Sequence, residues 1–171
     1  MVKSITLILA IMYTLSGQAQ NSFGTYGTIG LNRIGVAYEI GMNFQKQAHN
    51  ISLGARFYEP DLVFQKNYPG INLGYNYALR KGKKMKLLFG VNLGLFYENK
   101  ITTNLWVFDP KIIAGAKWKL SDHLILQLTA GFGAVINKVE TSYTSNIQTF
   151  NYLNYELALG LTYRFGNNSD Q

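Results

Sequence analysis

The chain contains no cysteine. Disulfides, thiolate metal sites and a cysteine nucleophile are excluded, and an exported chain must then find its stability elsewhere. Charge is scarce: Asp, Glu, Lys and Arg make up 15% of the 171 residues, where soluble domains carry about a quarter. Proline occurs three times and histidine twice, at His49 and His123. Beyond the first residues, no apolar run approaches the ~18 residues of a membrane helix. No G-x-S-x-G, H-E-x-x-H, P-loop or dinucleotide fingerprint is present. These absences argue against an enzyme, and no metal or cofactor is expected.

What is present favours strands. Tyr and Phe are abundant and Gly occurs 17 times, a mixture suited to strands and tight turns. The first segment reads as a targeting signal: Lys3, then an apolar stretch of 11 residues from Ile5 to Leu15, then small residues at Gly17 and Ala19. An uncleaved membrane anchor would need a longer stretch. The expected organisation is a signal peptide over 1–19, a barrel over 20–166 beginning at Gln20, and a short tail over 167–171.

Beyond the signal, period two dominates. Ile34, Val36, Tyr38, Ile40, Met42 and Phe44 are apolar at every second position. The pattern recurs from Ile51 to Phe57, Ile71 to Leu79, Leu87 to Tyr97, Ile112 to Leu120, Leu124 to Phe132 and Leu153 to Phe165. Such alternation predicts strands. No charge falls on these apolar faces. The opposite faces carry Glu39, Arg56, Lys86, Lys117, Glu156 and Arg164 among many Gly, Asn and Ala. A soluble sandwich also alternates, but two features favour a membrane barrel. The longer strands reach roughly 9–14 residues, near the length that crosses a bilayer at a tilt. Small residues on the polar faces suit the crowded inside of a narrow barrel, not a surface in water. Val36, Ile40, Leu73, Val91, Leu126 and Leu157 are the expected lipid-facing positions.

Connections alternate short and long. Lys46 to Asn50, Arg80 to Lys84 and Leu120 to His123 are short; Tyr58 to Gly70, Glu98 to Pro110 and Asn137 to Thr149 are long. Outer-membrane barrels have short periplasmic turns and long outer loops. A chain starting in the periplasm then needs one more strand, over Ser22 to Leu31, which makes eight. The expected fold is an all-β, eight-stranded antiparallel transmembrane up-and-down barrel. The last strand holds Gly160, Tyr163 and Phe165, which resemble the assembly signal of barrel proteins, although Ala158 stands where a polar residue is usual. With that strand and the SGQAQ end of its signal, the chain resembles the small eight-stranded outer-membrane barrels of the OmpX/OmpA and Bacteroidota type. The resemblance implies residence in the outer membrane, contact with its lipids and engagement of the barrel-assembly machinery during folding.

The net charge of +7 invites a nucleic-acid reading, but its distribution argues against one. On this topology the excess gathers at the periplasmic end, in a basic rim of Arg80, Lys81, Lys83, Lys84 and Lys86 suited to lipid phosphates. Outer-loop charges balance, with Lys111 and Asp109 counted among them. A two-residue turn at Gln47-Ala48 would set Glu39 opposite Arg56, a lumen ion pair with Glu156 as a second interior acid. His49 and His123 fall in periplasmic turns, away from the outer leaflet. Phe64, Trp106 and Phe108 are expected on outer loops, as candidates for docking a protein or glycan. The expected function is a non-enzymatic envelope barrel with a structural or loop-mediated binding role. The alternative is a narrow transport channel or an accessory subunit of an outer-membrane assembly.

Overall fold

Eight antiparallel strands follow one another in chain order around a closed barrel: β1 (Asn21–Asn32), β2 (Gly35–Lys46), β3 (His49–Tyr58), β4 (Tyr68–Arg80), β5 (Met85–Asn99), β6 (Thr103–Lys119), β7 (Leu124–Thr141) and β8 (Ile147–Phe165). The computed structural model describes residues 21–33, 35–58, 68–80, 84–99, 103–141 and 147–165. The expected signal peptide and the tail over 167–171 lie outside the described residues, as do Phe64, Lys81 and Lys83. β1 closes on β8, from Phe23 opposite Phe165 to Asn32 opposite Glu156. Closure gives every strand a partner on each side. It also explains how the glycine-rich, weakly alternating β1 holds a strand conformation: it has a partner on each side.

The partition of side chains is inverted relative to a soluble domain. Among the described residues, thirty-two large hydrophobic or aromatic side chains are exposed, while nine hydrophobics and twelve polar or charged residues are buried. Each large apolar side chain left in water forgoes about 1.5–3 kcal/mol of burial. Ile40, Leu73, Val91 and Leu157 are exposed, and Val36 and Leu126 are half-buried on the same outward faces. The interior packs by matching size: Gly74 faces Asn92, Gly94 faces Asn72 and Gly133 faces both Lys111 and Asn154. A Cβ on Gly133 would fall 1.9 Å from the Pro110 carbonyl oxygen and 2.9 Å from the Lys111 side chain. Only glycine fits where the barrel wall carries Lys111 inward.

Both termini of the barrel and the turns 47–48, 81–84 and 120–123 share one end, here the terminal rim; the connections 33–34, 59–67, 100–102 and 142–146 share the other, the loop rim. At the terminal rim Gln47 takes a positive φ of 54°, which sets the twist of a two-residue hairpin. Lys46 stands opposite His49 across it. In the β6–β7 turn, the Ser121 hydroxyl accepts from the Leu124 N–H at 3.1 Å. Lys119 donates to Asp122 at 2.9 Å and holds that exposed carboxyl below its ordinary range, first through the hydrogen bond.

The strands run further toward the loop rim than the alternation suggests. Glu98 to Pro110 and Asn137 to Thr149 are expected as long loops, but β5 to β8 take up most of both. Trp106 and Phe108 are therefore β6 strand residues, not loop residues; Trp106 stands opposite Tyr97 with ring centroids 4.5 Å apart. Asp109 and Lys111 are not loop charges either: both are buried inside the barrel. The misleading residue is Pro110, which lacks the N–H a strand interior uses. β6 tolerates it because the β7 ladder is interrupted at Asp109 and Pro110, while the β5 ladder continues through Leu93 opposite Pro110.

Candidate functional site

The interior near the loop rim is a bridged cluster of five ionised side chains from four strands. Alternation aims Glu39 of β2, Arg56 of β3, Asp109 and Lys111 of β6 and Glu156 of β8 at the axis. Glu39 stands directly opposite Arg56 in the ladder. Arg56 Nη1 lies 3.5 Å from Glu39 Oε2, and Nη2 lies 2.5 Å from Glu156 Oε2. Lys111 Nζ contacts the same Glu156 oxygen and lies 2.8 Å from Asp109 Oδ2. The chain Glu39–Arg56–Glu156–Lys111–Asp109 thus crosses the lumen. Arg56 is 2% exposed and Asp109 fully buried.

Three carboxylates meet two cations, and neutral donors supply the remainder. Asn72 Nδ2 lies 3.0 Å from both oxygens of Glu39, and the Tyr26 hydroxyl donates to Oε1. At the other end, the Tyr58 hydroxyl donates to Asp109 Oδ2 at 3.0 Å and Asn154 Nδ2 to Oδ1 at 2.9 Å. A carboxylate offers about four acceptor positions, so multiple donors are what its burial requires. The Arg56 guanidinium also stacks over the Tyr58 ring, 5.2 Å from its centroid, and Tyr58 packs on Phe96. Tyr26, Tyr58, Asn72 and Asn154, with the inward-facing Asp109 and Lys111, are functional residues that sequence reasoning misses. Parity offered a signal for the last two: they share the odd positions of β6 with Ile113, Gly115 and Lys117, opposite the outward Ile112 and Ala114.

Below this cluster the lumen holds a polar cavity of ≈ 50 Å³, with Asn43, Asn50, Asn72, Asn76 and Asn92 among its lining. Toward the terminal rim it meets a second, basic cavity that shares Asn50 and Asn76. Of the basic residues singled out in the sequence, Lys86 lines this second cavity, Lys84 is exposed at its mouth and Arg80 ends β4. Gly160 is buried inside β8, whereas Tyr163 and Phe165 are exposed on its outer face with ring centroids 5.3 Å apart. His49 pairs with the Tyr75 hydroxyl at 2.7 Å, and His123 Nδ1 lies 3.2 Å from the Arg164 carbonyl oxygen. Both histidines are near the terminal rim, remote from the ion cluster.

No family model matches the chain, and no curated protein matches it in sequence. In fold it is similar to the N-terminal β-barrel domain of Pseudomonas aeruginosa OprF, with a TM-score of 0.57 and 14% identity over 86% of this chain and 100% of that one. Outer membrane protein H of P. aeruginosa gives a TM-score of 0.56 and 17% identity over 86% of this chain and 100% of that one. A de novo designed barrel, TMB2.3, gives 0.58 and 13% over 88% and 98%. At such identities the likeness carries the fold alone: a closed antiparallel barrel of the kind found in outer-membrane proteins.

Proposed function

We propose that this chain is an integral outer-membrane barrel of the small OmpX/OmpA-like kind, exported by a cleaved signal over 1–19. It acts without catalysis, as a structural element or through binding at its outer loops. The inverted partition supports the membrane: an apolar outer face around a charged interior suits hydrocarbon outside and a satisfied polar lumen inside. The terminal rim then faces the periplasm, where the basic residues from Arg80 to Lys86 meet lipid phosphates. The lipid-facing residues include Val36, Ile40, Leu73, Val91, Leu126 and Leu157. Gly160, Tyr163 and Phe165 serve recognition by the assembly machinery. Phe64, on the connection 59–67, remains the candidate loop contact for a protein or glycan partner.

The observation that carries the structural reading is the ion cluster. Buried charges from four strands are cross-linked across the lumen near the loop rim. The cavities below it favour a second reading, a narrow channel gated by that cluster. Planar-bilayer recording of the refolded protein separates the two. The structural reading predicts a silent bilayer; steady, ion-selective openings would overturn it in favour of the channel.

A further inference from the structure

The cavity at the terminal rim differs from the rest of the lumen in its charge. Lys84, Lys86, Lys117, Lys119 and Arg164 converge on it from the β4–β5 turn, β5, β6 and β8, and among the described residues no carboxylate lines it. Its enclosed volume is ≈ 30 Å³. In the ion cluster above, each cation touches a carboxylate; here Lys117 faces the cations Arg164 and Lys86, while Lys119 pairs with Asp122. Lys86 stands directly opposite Lys117 in the β5–β6 ladder. Like charges directly opposite in a sheet are destabilising. Lys117 is 8% exposed and, among the described residues, has neither a hydrogen-bond nor an ion-pair partner. The charges acting on it are those of Arg164 and Lys86, both of its own sign. Arg164 donates to Gln45 at 2.5 Å and Lys119 to Asp122; a guanidinium carries five N–H groups and an ammonium three.

We propose that this vestibule is an oxyanion site that takes a phosphate group. Donors approach from several strands, which suits a tetrahedral acceptor with oxygens on every side. A doubly charged anion would turn a repulsive cluster into an attractive one, and binding only the folded barrel would stabilise it. The proposal stands on the lumen itself and goes beyond the envelope role above. The phosphate comes either from a lipid headgroup reaching the rim or from solution.

The test uses the full chain refolded in a sugar-headgroup detergent, which contains no phosphate of its own. Inorganic phosphate is titrated by calorimetry against chloride at matched ionic strength. Saturable binding is expected, with a rise in the urea midpoint. Lys117→Met should weaken binding at least tenfold, yet fold without phosphate at an equal or higher midpoint. Lys86→Met should also weaken phosphate binding, and Lys46→Gln, at the rim but outside the vestibule, should bind as wild type. Micelles doped with phosphatidylglycerol identify the source: displacement of inorganic phosphate makes the headgroup an occupant, and no displacement makes the occupant soluble. Absence of saturable binding, or equal loss in Lys46→Gln, overturns the proposal.

Discussion

At the scale of single residues, Arg56 is the member of the lumen cluster whose loss has the clearest consequence. Among the described residues it is the one cation that touches Glu39, and it shares Glu156 with Lys111. Arg56→Ala would leave Glu39 buried with neutral donors only, at a cost of about 3–5 kcal/mol if the site stays dry. Arg56→Met combined with Glu39→Gln removes both charges and should be milder. Urea unfolding of the refolded protein checks this; identical midpoints for wild type and both variants would mean that the cluster carries no stability. The register behind this pair is legible in the sequence, because a two-residue turn at Gln47-Ala48 fixes Lys46 opposite His49 and every pair above it. The remainder of the cluster is not legible in the same way. Proline reads as a strand boundary, so Pro110 hides Asp109 and Lys111. Tyr26 lies in a segment with too many glycines to reveal which face is inward.

At the scale of elements, alternation determines what each strand face meets, and β5 tests it. Val91 is exposed midway along β5, while Asn92 faces the interior and lines the polar cavity. In the proposed bilayer, Val91→Arg would bring a cation to the hydrocarbon midplane, at about 2–4 kcal/mol. Asn92→Gln, a polar change on the inner face, should disturb folding much less. The comparison is made by refolding both variants into lipid vesicles; equal folding yields would sink the lipid-facing assignment. The number and order of the strands are legible, since period-two runs and polar turns alternate along the chain. Their lengths toward the loop rim are not. There the sequence mixes prolines, charges and aromatics that also suit loops, and pairing with a neighbouring strand decides the outcome: Glu140 pairs with Ile147 and Asn99 with Asn104.

At the scale of the molecule, the lumen is divided along its axis. Near the loop rim an excess of carboxylate is held by neutral donors, and near the terminal rim basic side chains gather around the vestibule. The wall is uneven as well, for β7 and β8 continue past the end of β1, whose last partner is Glu156. The seam between β1 and β8 has a kinetic meaning. Its two strands come from opposite ends of the described chain, so the loop it closes has the greatest entropy cost of any pairing in the barrel. Every other ladder can form as soon as a hairpin has been made; this one must wait for Phe165. Closure is then the last event in folding, and until it happens the protein is an open sheet with two reactive edges. The absence of native cysteine makes that order measurable. Thr25 and Tyr163 are cross-seam partners, and a double variant, Thr25→Cys with Tyr163→Cys, should form its bond only after β2 to β7 resist protease during refolding. A bond that forms before that protection would mean that the ends meet first and the barrel grows inward from its seam.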